Sequence, residues 1–100
     1  MNKQHPIPFD KVNITGGFWK DRIALNESVT LDSVRRRFED TGRFSALSCE
    51  WKQGEPDRPH FFYDSDAAKW MEAAAYVLEK KEDKQLESYV EDLIDRIERN

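Results

Sequence analysis

The sequence predicts an all-α protein, and three observations carry that reading. Residues 61–81 pass from an aromatic run through an acidic turn, Asp64-Ser65-Asp66, into an alanine-rich stretch. There Trp70, Ala74 and Val77 recur at helical spacing beside Met71, Ala75 and Leu78. Leu86, Tyr89, Val90, Leu93, Ile94 and Ile97 then occupy one face of a second helix, the cleanest amphipathic pattern in the chain. Only a short link near Glu82-Asp83 separates the two, a length that folds consecutive helices into an antiparallel hairpin.

The remaining elements follow in order. Residues 1–17 form a lead-in: Pro6 and Pro8 favour extended backbone, and Val12 and Ile14 alternate with polar neighbours in a short strand-like pattern that Gly16-Gly17 ends. Residues 18–100 form the helical part. Its first helix-like stretch runs to about Glu39 on Trp19, Ile23, Leu31, Val34 and Phe38, thins at Asn26–Ser28, and stops at Thr41-Gly42. Residues 43–51 have room for a turn of helix. Residues 52–60, with Gly54, Pro56 and Pro59, read as a loop, and connections this long often serve a binding surface. In the alanine-rich helix, Asp64, Ser65 and Asp66 suit the N-cap, and their charge complements the helix dipole.

Composition narrows the function classes. The chain has 100 residues, 38% hydrophobic and 36% charged, so its core must come from few residues. Its six Phe, three Trp and three Tyr are the main supply, each able to bury about 150–250 Å². A net charge of −4 disfavours nucleic acid as a partner, because that binding draws mostly on phosphate neutralisation. The one basic run, Arg35-Arg36-Arg37, is flanked by Asp32 and Glu39 and reads as a solvated helix face, with Asp32 in register to pair with Arg36. Asp92 with Arg96 and Asp95 with Arg99 are spaced for the same pairing. No apolar run approaches the roughly 20 residues of a membrane span, and Met1–Pro6 lacks the apolar core of a signal peptide, so a cytoplasmic location is expected. A lone Cys49 excludes an intrachain disulfide and a thiolate cluster for a metal.

Three constellations offer chemistry. Asp64 and Asp66, near His60, are the candidate substrate-binding residues, but i and i+2 side chains diverge by about 200° once helical geometry begins, and capping explains both acids. Cys49 with His60 has the residue types of a nucleophile and its base; without a known distance between them, a semi-buried structural cysteine is the better reading. Trp70 has the surface to stack on a sugar or a base, yet its helical spacing with Met71 and Val77 places it in the core.

The stretch Phe62-Tyr63-Asp64-Ser65-Asp66, followed by Lys69-Trp70-Met71-Glu72-Ala73-Ala74-Ala75-Tyr76, resembles a motif near the N-terminus of glycoside hydrolase family 127, typified by bacterial β-L-arabinofuranosidases. Val12-Asn13-Ile14, Gly17-Phe18-Trp19-Lys20 and Arg22 resemble the family's opening, and Leu86, Asp92, Leu93, Ile94 and Ile97 fit its second hairpin helix. The resemblance spans residues 11–100 and implies the first helices of an (α/α)6 barrel in a longer retaining glycosidase acting on a carbohydrate. It also implies a cysteine nucleophile, a glutamate acid/base and zinc in the complete protein, none of which maps onto this chain; Cys49 is not the nucleophile. The resemblance therefore implies an inactive segment whose apolar faces meet further barrel helices. The reading from a different class is a small helical interaction module that docks on a partner or a second copy.

Overall fold

A computed structural model describes residues 3–100. The first two residues of the predicted lead-in lie outside them. The fold is all-α: α1 (Gly17–Leu25), α2 (Leu31–Asp40), α3 (Tyr63–Lys80) and α4 (Lys84–Arg99), with short 3-10 turns at Phe9–Lys11 and Ser45–Ser48.

The lead-in does not become a strand. Val12 is extended (φ −110°, ψ 124°), but the described residues contain no second strand to pair with it. Alternation marks a strand only where a partner completes the ladder. Instead the segment lies on the C-terminal half of α3. The Phe9 ring meets Tyr76 edge-on at 4.9 Å, and Lys80 places its ammonium 4.6 Å from the Phe9 centroid while donating to the Val12 carbonyl. Gly17, with φ +76°, starts α1 rather than ending a strand, in a conformation that glycine adopts without steric cost.

α1 and α2 form one rod. Where the apolar pattern thins, the helix widens: residues Asn26–Thr30 make a π turn, and the Leu31 N–H donates to the Asn26 carbonyl five residues back. The Ser28 hydroxyl donates to Ala24 O at 2.8 Å, a bond of the kind that bends helices. The predicted stripe is only half buried. Leu31 is in the core with Val34 and Phe38 packed against it, but Trp19 and Ile23 are exposed. At the far end Thr41 and Gly42 (φ +78°) close the helix as predicted, and Arg43 N–H donates back to Phe38 O.

The core forms where α3 and α4 meet α2 and the 3-10 turn. It consists of Leu31, Phe44, Leu47, Ala67, Trp70, Ala74, Val77, Leu86 and Leu93. Phe38, Phe44 and Trp70 stack edge to face at 5.7 and 5.8 Å, and the Trp70 indole N–H donates to the Leu31 carbonyl at 2.9 Å. That bond leaves Trp70 fully partnered, consistent with its predicted core role. Ala75, expected beside this face, is exposed.

α4 begins as the pattern dictates. Asp83 is its N-cap, accepting the Leu86 N–H at 3.0 Å. Arg96 pairs with Asp92 at 2.8 Å and reaches Glu39 of α2 at 3.3 Å. Arg99 instead donates to the Asp95 backbone carbonyl, so the expected second carboxylate pair is absent. Asp32 binds Arg36 at 3.1 Å, as its spacing predicts, and also Arg35 at 2.9 Å. The Arg35 guanidinium lies 3.8 Å from the Tyr89 ring centroid, joining α2 to α4, so this part of the basic run is structural rather than a solvated face.

The chain is spread out. Its radius of gyration is 16.8 Å, against about 13 Å for a closed domain of 100 residues. Its accessible surface is 8175 Å², against about 5,900 Å² for a folded monomer of this mass. The excess includes Phe18, Trp19, Ile23 and Leu25 on α1 and Ile94 and Ile97 on α4. Among the described residues no helix is long and apolar enough to cross a membrane.

Candidate functional site

The acidic turn begins α3, and helical geometry splits its two carboxylates. Asp66 points back to the preceding segment, where its Oδ2 accepts a hydrogen bond from Arg43 Nε at 2.9 Å. Arg43 is itself fixed from three sides. Its guanidinium donates to the Thr41 hydroxyl at 2.7 Å, that hydroxyl donates to Arg37 O, and the Phe38 ring lies below at 5.4 Å. The Asp66–Arg43 pair thus staples the end of α2 to the start of α3. Both side chains are only about a fifth to a quarter exposed (24% and 20%), so the ion pair is partly desolvated.

Asp64 has the opposite setting. It is exposed, its Oδ1 accepts only the neighbouring Ser65 N–H at 2.8 Å, and among the described residues it has no ion pair. The predicted capping role is corrected: the N-cap position belongs to Phe62, whose side chain has nothing to offer, because Tyr63 already has helical geometry. Asp64 and Asp66 therefore fall inside the first turn, where they favour the positive end of the helix without capping it.

The loop before α3 folds into a shallow cavity of about 430 Å³ bounded by Cys49, Trp51, Arg58, His60, Phe61 and Tyr63. Trp51 closes the loop, its indole N–H donating to Glu55 O at 3.2 Å and Pro56 O at 3.1 Å. His60 Nδ1 accepts the Phe62 N–H at 3.1 Å, which assigns the proton of the neutral imidazole to Nε2. Cys49, at φ 58°, is exposed rather than semi-buried, and its thiol turns to Leu47 O at 3.6 Å. The fold brings Cys49 and His60 to one cavity but makes no hydrogen bond between them, so the nucleophile-and-base geometry is not formed. Burial comes first in raising the Tyr63 phenol above its ordinary value, followed by the charges of Cys49 and Asp64.

Sequence reasoning missed Arg43, the residue that separates the roles of the two acids. It lies 23 positions from Asp66 and belongs to no periodic pattern. Among the described residues no three His, Cys, Asp or Glu side chains converge on a point where they could hold a metal ion.

Residues 11–100 match the family model of the β-L-arabinofuranosidase GH127 catalytic domain. No curated protein and no solved structure matches the chain.

Proposed function

Because the chain belongs to the family of β-L-arabinofuranosidase GH127 catalytic domains, we propose that it is the N-terminal segment of a glycoside hydrolase that cleaves an O-glycosidic bond to an arabinofuranose-like sugar. The observation that carries this reading is the family match, which runs through the whole helical part of the chain. The uncovered apolar residues of α1 and α4 support it, since further helices of an (α/α)6 barrel would cover them. In this reading the segment is a foundation. Asp66 holds the start of α3 through Arg43, and Asp64, free on its outer side, is the acid that reaches toward the sugar. Bond cleavage belongs to residues that the complete protein adds, so the 100-residue chain by itself is inactive.

The test is hydrolysis of an aryl β-L-arabinofuranoside by the protein expressed from its complete reading frame and, separately, by the 100-residue chain. Turnover by the first and none by the second is expected. An inactive complete protein would sink the glycosidase reading, and an active short chain would sink the division of labour. The exposed apolar faces also serve the alternative of a helical interaction module, which predicts a discrete complex or dimer and no hydrolysis by either form.

A further inference from the structure

The loop cavity has a construction that neither the staple nor the core explains. Phe61 is 83% exposed, and its ring stands edge-on to Phe62 at 4.9 Å and 89°, so an aromatic face is left uncovered beside the cavity. Trp51 and Tyr63 form further aromatic walls. Two donors stand at the rim. Arg58 has no hydrogen bond or ion pair among the described residues, and the Nε2–H of His60 is free because Nδ1 is occupied by Phe62. Two non-glycine residues have left-handed backbone, Cys49 (φ 58°) just before the loop and Asp57 (φ 60°) within it. Such conformations persist where the surrounding structure holds them, and they cluster at ligand-binding positions.

An uncovered aromatic face with a few hydrogen-bond donors beside it suits a ligand that is apolar on its flat face and polar around its edge. A sugar ring has this form: axial C–H bonds lie on the aromatic face while hydroxyls at the edge accept from the guanidinium and the imidazole. Charge selects among sugars. The loop also carries Glu50, Glu55 and Asp57 against Lys52 and Arg58, a field that disfavours an acidic sugar. We propose that this cavity is a subsite for a neutral sugar ring, with Phe61 as the stacking platform and Arg58 and His60 as the hydroxyl donors. The inference rests on the glycosidase reading for its place in the reaction: the ring bound here would be one adjoining the sugar that is cleaved.

The test is a titration of the isotopically labelled chain, followed by NMR, with methyl β-L-arabinofuranoside, methyl β-D-galactopyranoside and galacturonate. Saturable shifts at the Trp51 indole and around His60 are expected with at least one neutral glycoside, in the millimolar range, with galacturonate at least several-fold weaker. Phe61→Ala and Arg58→Gln alter exposed side chains and leave the core untouched; each should weaken binding about tenfold or more. Absence of saturable shifts, wild-type affinity in both variants, or tighter binding of galacturonate would each overturn the proposal. The hydrolysis assay above separates the two readings. Binding without hydrolysis by the complete protein removes the glycosidase and leaves the subsite, whereas hydrolysis without binding does the reverse.

Discussion

α1 and α3 each carry one tryptophan, and the two side chains have opposite fates: Trp19 is 66% exposed and Trp70 only 3%. The difference begins in the sequence. On α3, Ala67, Trp70, Ala74 and Val77 recur every three or four residues and make one narrow face, with small alanines that let α2 and the 3-10 turn approach. On α1, Phe18, Trp19, Ile23 and Leu25 spread around the axis, so no single neighbour could cover them, and α1 has no buried residue at all. A helix forms from local preferences, but its contribution to stability depends on whether its apolar residues converge on a partner.

The sharpest way to break this contrast is to truncate both tryptophans. Trp70→Ala should cost roughly 3–5 kcal/mol through lost burial and a cavity, and it also orphans the Leu31 carbonyl. Trp19→Ala should stay within about 0.5 kcal/mol. Urea unfolding of the two variants measures both, and equal losses would mean that α1 is covered in solution. A smaller effect separates the two acids of α3. Asp66→Ala leaves Arg43 without its partner and should cost about 1–3 kcal/mol, between the values for exposed and buried ion pairs. Asp64→Ala should cost a few tenths, and a reversed order in thermal melts would show that the staple has been misassigned.

The smallest expected effect is a pH dependence. The Tyr63 phenol is raised in the folded chain by burial first, then by Cys49 and Asp64. Above a pH of about 10 the unfolded chain loses this proton while the folded chain keeps it, so stability falls as pH rises through that window and is unaffected below it. Comparing melts at pH 9 and 11 should show a decline that Tyr63→Phe reduces. An identical decline in the variant would assign it to other groups.

What the sequence made legible was local. The α4 face and the Asp92–Arg96 pair lie within one or two turns, so periodicity and spacing suffice, whereas the Asp83 cap shows only in the structure. Phe44 and Leu47, both in the core, sit in a segment too short to show a period. The Trp70 bond to Leu31 spans 39 positions, and the Asp66–Arg43 staple spans 23; neither leaves a pattern in the intervening residues. Val12 and Ile14 show the converse, a readable alternation with no second strand among the described residues. The acidic turn was legible as the start of a helix and as a family motif, but which acid stays free depended on an arginine outside the motif.

The π turn at Asn26–Thr30 has a geometric consequence for the whole rod. Ile23 and Leu31 are eight residues apart, and in an uninterrupted α-helix that separation overshoots two full revolutions by about 80°. One widened turn takes up nearly a whole extra residue, which brings the azimuth of Ile23 back into line with that of Leu31. This is why Ile23, Asn26 and Glu27 overlook Ala73 and Val77 of α3 across a cleft, on the side where Leu31 touches Trp70. The turn works as a phase corrector. A chain shortened by one residue there would keep its helicity while swinging α1 through roughly a quarter of a revolution, away from the neighbour it now faces.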